Sequence, residues 1–103
     1  MFDVLLDPSG AIVGTVGLCP MGHATAELRK MYLLGSCRGQ GLGRRMLEHA
    51  LERAKALGFR KVTLETASVL KEAIALYERH GFTPYTPSHL AQRCDQAYYL
   101  DLE

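Results

Sequence analysis

The 103-residue sequence predicts an α/β (α+β) domain: a mixed, mostly antiparallel sheet with two main helices in the order β-β-β-α-β-α-β-β. Two observations carry this. Short apolar runs separated by turn residues fill the first third, and from Gly41 a helical period takes over. A second helical stripe, ended by Gly81, is flanked on both sides by strand-like runs, and strand-helix-strand connections favour a mixed sheet with helices packed on it. A chain this long makes one domain, residues 1–103, and buries between about 60% and 70% of its unfolded surface without staples.

Phe2 to Leu6 reads as the first strand, and Asp7-Pro8-Ser9-Gly10 as the turn of a hairpin, with Pro presetting the turn and Gly tolerating its exit. The return strand, Ala11 to Leu18, carries Gly14 and Gly17, which in a strand mark a bulge or a close approach, and Cys19-Pro20-Met21-Gly22 is expected to end it. In the third strand, roughly Thr25 to Leu34, alternation puts Glu27, Arg29, Met31 and Leu33 on one face and Ala26, Leu28, Lys30 and Tyr32 on the other. Leu42, Met46, Leu47, Ala50, Leu51, Ala54 and Leu57 then recur at helical spacing for about four turns, with Gly58 as the left-handed end. Lys61 to Thr66 reads as a strand, and Ser68 as the N-cap of a helix whose stripe is Leu70, Ala73, Ile74 and Tyr77. A brief strand at Phe82 to Tyr85 and a final one at Gln96 to Leu102 complete the order.

Twelve Lys plus Arg against eleven Asp plus Glu leave a net charge of +1, so no strong field draws the chain to nucleic acid or an anionic membrane. No apolar run approaches the roughly 18 residues of a membrane span. Three widely spaced cysteines with no CxxC pair read as reduced thiols, and Met1-Phe2-Asp3-Val4 carries acid where a secretory signal carries base; the expectation is a cytoplasmic protein. Cys19 with His23, and His89 with Cys94, form no known zinc spacing, so no metal is expected.

The informative stretch is Arg38-Gly39-Gln40-Gly41-Leu42-Gly43, between a strand and the first turn of a helix. Three glycines in five positions permit a tight loop whose N–H groups converge beside the unpaired donors and partial positive charge of a helix N-terminus. A pyrophosphate fits such a place, with Arg38, Arg44 and Arg45 bracketing it. A Walker loop would continue Gly-Lys-Ser/Thr, whereas Gly43 is followed by Arg44-Arg45; a dinucleotide fingerprint read from Gly39 needs glycine where Arg44 stands. The remaining reading is the pyrophosphate of coenzyme A.

With Ile12-Val13-Gly14, Ala26-Glu27-Leu28-Arg29-Lys30-Met31-Tyr32, this glycine loop and the downstream Ala73-Ile74-Ala75-Leu76-Tyr77-Glu78-Arg79-His80-Gly81-Phe82, the chain resembles the GNAT superfamily of acyl-CoA-dependent N-acyltransferases over nearly its whole length. The resemblance implies the GNAT fold and transfer of an acetyl group from acetyl-CoA to a primary amine of a small molecule or peptide. It implies that the amides from Arg38 through Gly39, Gln40, Gly41, Leu42 and Gly43 to Arg44 hold the pyrophosphate. The backbone of Met31, Tyr32 and Leu33 would hold the pantetheine arm, and Tyr77 would point at the sulfur.

The chemistry of these residue types is compatible. A protonated amine must lose a proton before it attacks a thioester, and a departing thiolate gains from a donor. Glu27 is the candidate base, directly or through water, Tyr77 the candidate acid, and the Met31 amide the candidate oxyanion donor. Each has a plainer reading: Glu27 as a surface acid paired with Arg29 or Lys30, Tyr77 as a core ring with its hydroxyl at the rim, Arg45 as a helix-surface residue meeting Glu48 or His49. The sequence departs from the family pattern in one place, where Leu70 stands at a position at which Asn is frequent, and the helical segment that usually precedes the first hairpin is expected to be absent. A homodimer that supplies the missing wall, or a catalytically silent CoA-binding module, are the readings these departures favour. The acceptor face is expected around Met21 to Thr25 and Thr86 to Asp95.

Overall fold

A computed structural model describes residues 1–35, 41–87 and 94–102. Eight elements follow the expected order: β1 (Phe2–Leu6), β2 (Ile12–Gly22), β3 (Thr25–Leu33), α1 (Leu42–Ala56), β4 (Lys61–Thr66), α2 (Lys71–Arg79), β5 (Thr83–Tyr85) and β6 (Gln96–Asp101). They form one six-stranded sheet, β1-β2-β3-β4-β6-β5, in which β3 and β4 are parallel and all other neighbours antiparallel. Among the described residues no helix is long and apolar enough to cross a membrane.

The first hairpin closes as its turn residues dictate. One carboxylate oxygen of Asp7 accepts hydrogen bonds from the Ser9 amide (2.9 Å), the Ser9 hydroxyl (2.6 Å) and the Ala11 amide (3.0 Å), and Gly10 takes the positive φ of +90°. β2 does not stop at Leu18. It runs on to Gly22 and turns into β3 through His23 (φ 53°) and Ala24 (φ 57°), two left-handed residues without the Asn-Gly pair that announces such a turn.

The alternation expected along β3 holds only as far as Arg29. Between the pairs Gly17↔Arg29 and Thr15↔Tyr32 the third strand has one residue more than its partner, a bulge in which Lys30 adopts φ 54° and its carbonyl accepts a 2.6 Å hydrogen bond from the Thr15 hydroxyl. The extra residue resets the faces. Ala26 and Leu28 point to the helices before it, and Met31 and Leu33 pack against the same core after it, leaving Tyr32 exposed. Lys30 and Tyr32 are therefore not on the face of Ala26 and Leu28.

Both helices lie on one side of the sheet, joined by Glu48 of α1, which meets His80 at 3.1 Å just beyond α2. Between helices and strands a single core collects Met46, Leu47, Ala50, Leu51 and Ala54 from α1, Val16, Leu18, Ala26, Leu28, Val62, Leu64 and Tyr98 from the strands, and Tyr77 and Phe82. α1 begins at Gly41, left-handed at φ 75°, and ends at Gly58, where φ is +90°. Ser68 does not cap α2. The N-cap is Leu70, with no side-chain hydrogen bond, and the Ser68 hydroxyl is bound instead to Asp95.

β3 and β4 share only three register pairs, Thr25↔Lys61, Ala26↔Val62 and Glu27↔Thr63. Beyond Glu27↔Thr63 the described residues of the two strands form no further pair.

Candidate active site

A cleft of about 750 Å³ lies between the end of β3 and the two helices. Its walls come from three places: Met31, Tyr32 and Leu33 at the end of β3, Gly41, Gly43, Arg44 and Met46 at the start of α1, and Val69 to Ala73 with Leu76, Tyr77 and Arg79 along α2. The bulge at Lys30 is what brings Met31 and Leu33 to this side.

The start of α1 borders the cleft, and among the described residues no side chain caps it. Its N-cap is a glycine without a side chain, and its first turn contains no acid. Gly41 is required by its own backbone, since φ 75° is strained for any other residue, while Gly43 lies in ordinary contact distance of Leu76, where an added Cβ would stand 3.8 Å from Cδ2. Arg44, Lys71 and Arg79 supply three cations to the cleft walls against the one carboxylate of Glu72. Arg44 also reaches Glu48, its i,i+4 neighbour, at 3.9 Å, whereas Glu48 or His49 is the partner expected for Arg45.

Tyr77 is buried at 8% exposure, its ring tilted against Phe82 (5.8 Å between centroids) and Tyr98 (6.5 Å). Burial pushes its hydroxyl above the usual tyrosine pKa, which keeps the proton on oxygen. Tyr77 is one of the residues that line the cleft.

Glu27 stands elsewhere. By register with Thr63 it lies on the helix-free face of the sheet, outside the cleft walls, at the last β3–β4 pair. Its side chain is 14% exposed and forms an ion pair with Arg29, whose guanidinium also lies 3.4 Å from the Cys19 sulfur and 3.8 Å from that of Met21. The neighbouring carboxylate raises the Arg29 pKa further.

The structure thus gathers Met31, Tyr32, Leu33, Gly41, Gly43, Arg44 and Tyr77 around one cleft and sets Glu27 behind the sheet. The Leu42 side chain turns to a separate hollow of about 320 Å³ between β1 and α1. Arg38, Gly39 and Gln40 lie outside the described residues, as do residues 88–93 of the expected acceptor loop. Lys71 and Arg79 were not read from the sequence, where they are merely the polar flank of an amphipathic stripe. A cation in the first turn of one helix facing an arginine in the first turn of another becomes a signal only once the two helices are known to share a face.

The acetyltransferase (GNAT) family profile matches residues 2–82. The uncharacterized N-acetyltransferase YjgM of Escherichia coli (strain K12) is 42% identical over 81 residues, 76% of this chain and 48% of that protein; the chain spans about half the length of this relative. Among solved structures, an acetyltransferase of the GNAT family from Staphylococcus aureus Mu50 superposes with a TM-score of 0.91 at 23% identity, covering 99% of this chain and 68% of its own. A GNAT superfamily phosphinothricin acetyltransferase from Sinorhizobium meliloti, solved with acetyl-CoA, gives 0.81 at 24% identity over 98% and 60% of the two chains.

Proposed function

The chain belongs to the GNAT acetyltransferase family, and we propose that it transfers an acetyl group from acetyl-CoA to a primary amine of a small molecule or peptide by direct attack, with no covalent enzyme intermediate. The observation that carries this reading is the cleft itself, lined by the cationic start of α1, the end of β3 and Tyr77. Its residues fit the donor: glycine backbone, an uncapped helix start and three cations for the phosphates, and Met31, Leu33, Val69, Leu70 and Leu76 for an apolar arm. Acetyl-CoA supplies an activated thioester and a thiol leaving group. Met31 offers a backbone amide to the carbonyl oxygen where β3 has no β4 partner. Tyr77, held protonated by burial, donates to the departing sulfur. Glu27 takes the amine's proton from the far face, where the β3–β4 pairing ends. The loop residues Arg38, Gly39 and Gln40 complete the phosphate site in this reading.

A second reading is favoured by one observation: Glu27 is already engaged by Arg29, which suits a silent CoA-binding module better than a base waiting for substrate. A homodimer is also proposed, supported by the edge strand β1, whose Phe2, Val4 and Leu6 are exposed along one side. Light scattering at micromolar concentration checks it; a monomer removes it.

Thermal unfolding with acetyl-CoA, desulfo-CoA, NAD and ATP tests the ligand. A ligand at about 100 times its Kd adds roughly 2.7 kcal/mol. Stabilisation by the two CoA species alone is expected, to be followed by an amine screen. Stabilisation by ATP or NAD with indifference to CoA would overturn the proposal.

A further inference from the structure

The short connection from β4 to α2 forms one lip of the cleft, and a residue distant in sequence holds it. Asp95, just before β6, accepts two hydrogen bonds through its carboxylate: from the Ser68 amide at 2.7 Å and from the Ser68 hydroxyl at 2.6 Å. Its own amide donates to the Thr66 carbonyl at 3.2 Å, continuing the β4–β6 ladder past Thr66↔Gln96. Within the clamped stretch the Leu70 amide donates to the Ala67 carbonyl at 2.9 Å, closing a tight turn.

This turn points apolar side chains at the open cleft. Val69 is 79% exposed and Leu70 53%, and both line the cleft wall. Exposed aliphatic groups gain nothing from water, so an unheld turn has no reason to keep this arrangement. The two charge-assisted hydrogen bonds of Asp95 give it one. The carboxylate responds as expected, with the Ser68 hydrogen bonds holding its pKa below the ordinary value.

We infer that Asp95 is a positioning residue for the acyl-CoA substrate: by latching Ser68 it presets Val69 and Leu70 as the apolar lip against which the arm of the cofactor lies. The inference rests on the CoA-binding reading above. It assigns Asp95 no contact with the substrate and no proton to move.

The test compares CoA binding by titration calorimetry, and kcat at saturating acetyl-CoA once an acceptor is known, in the wild type and in Asp95→Ala, Ser68→Ala, the double variant and Ser68→Thr. Each single alanine variant is expected to weaken CoA roughly 3- to 10-fold, the range of one or two modest hydrogen bonds. The double variant weakens it no further than either single one, because both remove the same latch. Ser68→Thr keeps both donors and binds as the wild type, and kcat is unchanged in the two single Ser68 variants. Single variants that are folded by circular dichroism and bind CoA as the wild type does overturn the inference while leaving the acetyltransferase reading intact, as do losses that add in the double variant. A wild type that binds no CoA removes both.

Discussion

At the scale of single residues, Tyr77 and Glu27 are on opposite sides of a sheet, so the roles proposed for them are separable by experiment. Tyr77→Phe keeps the ring that packs on Phe82 and Tyr98 and deletes only the hydroxyl. The expected result is a fall in kcat of about 100-fold, the low end of what a positioned proton donor contributes, with the Kd for CoA unchanged. An unchanged kcat would take Tyr77 out of the mechanism and favour the silent module. The donor must be protonated, and burial raises its pKa, so the wild-type rate falls only as pH climbs beyond the ordinary tyrosine value of 10.0; the variant lacks that limb. Glu27→Gln has a different signature. A base matters while the amine is protonated, so the deficit is expected to be large at pH 7 and to shrink as pH nears the amine's own value, about 10.4 for a lysine-like acceptor. A deficit that does not change with pH would give Glu27 a structural role through Arg29.

At the scale of elements, the geometry turns on the β3 bulge and on the close approach of β2 to α1. A Cβ on Gly14 would lie 2.8 Å from the Met46 sulfur and 3.1 Å from the Tyr32 carbonyl oxygen. Met46 can swing aside, but the carbonyl belongs to the strand that walls the cleft. Gly14→Ala is expected to cost about 1–3 kcal/mol in denaturant unfolding, as overpacking does. Lys30→Gly should move the other way, relieving about 1 kcal/mol of left-handed strain, provided the Thr15 hydroxyl keeps its carbonyl partner. Periodicity and glycines were enough to read the eight elements, both helices among them, and the glycine entry to α1, because a helical stripe and a Gly-rich entry are local patterns. The bulge was not legible: Lys30 is an ordinary strand residue in composition, and nothing local announces that it takes φ 54°. That one residue reversed the expected faces of Met31 and Tyr32. The Ser68 cap failed for a related reason, since its competitor, Asp95, lies 27 residues away and becomes a neighbour only when β6 docks on β4.

At the scale of the whole molecule, two carboxylates tie connections together and set its response to acid. Asp7 in the first turn is held below the ordinary carboxylate value of 3.8 by the Ser9 hydroxyl and the Ala11 amide, and Asp95 by Ser68. Groups with depressed folded-state pKa values contribute their stability in full above the unfolded value and lose it as pH falls through the folded one. The Tm is therefore expected to hold above about pH 4 and to fall below it, with a shallower fall in the Asp7→Ala/Asp95→Ala double variant; an identical acid slope in that variant would show that neither turn matters. The short seam between β3 and β4 has a further meaning. β1, β2, β3 and α1 all precede Gly58 in the chain, and β4, α2, β5 and β6 all follow it, so the three pairs that join the half-sheets also divide first half from second. The molecule is a book of two leaves, each written by one continuous stretch of chain, with the helix layer as its binding. Two polypeptides cut at Gly58 would each carry a complete leaf, which makes this turn the place to split the chain into complementing fragments whose reunion rebuilds the cleft.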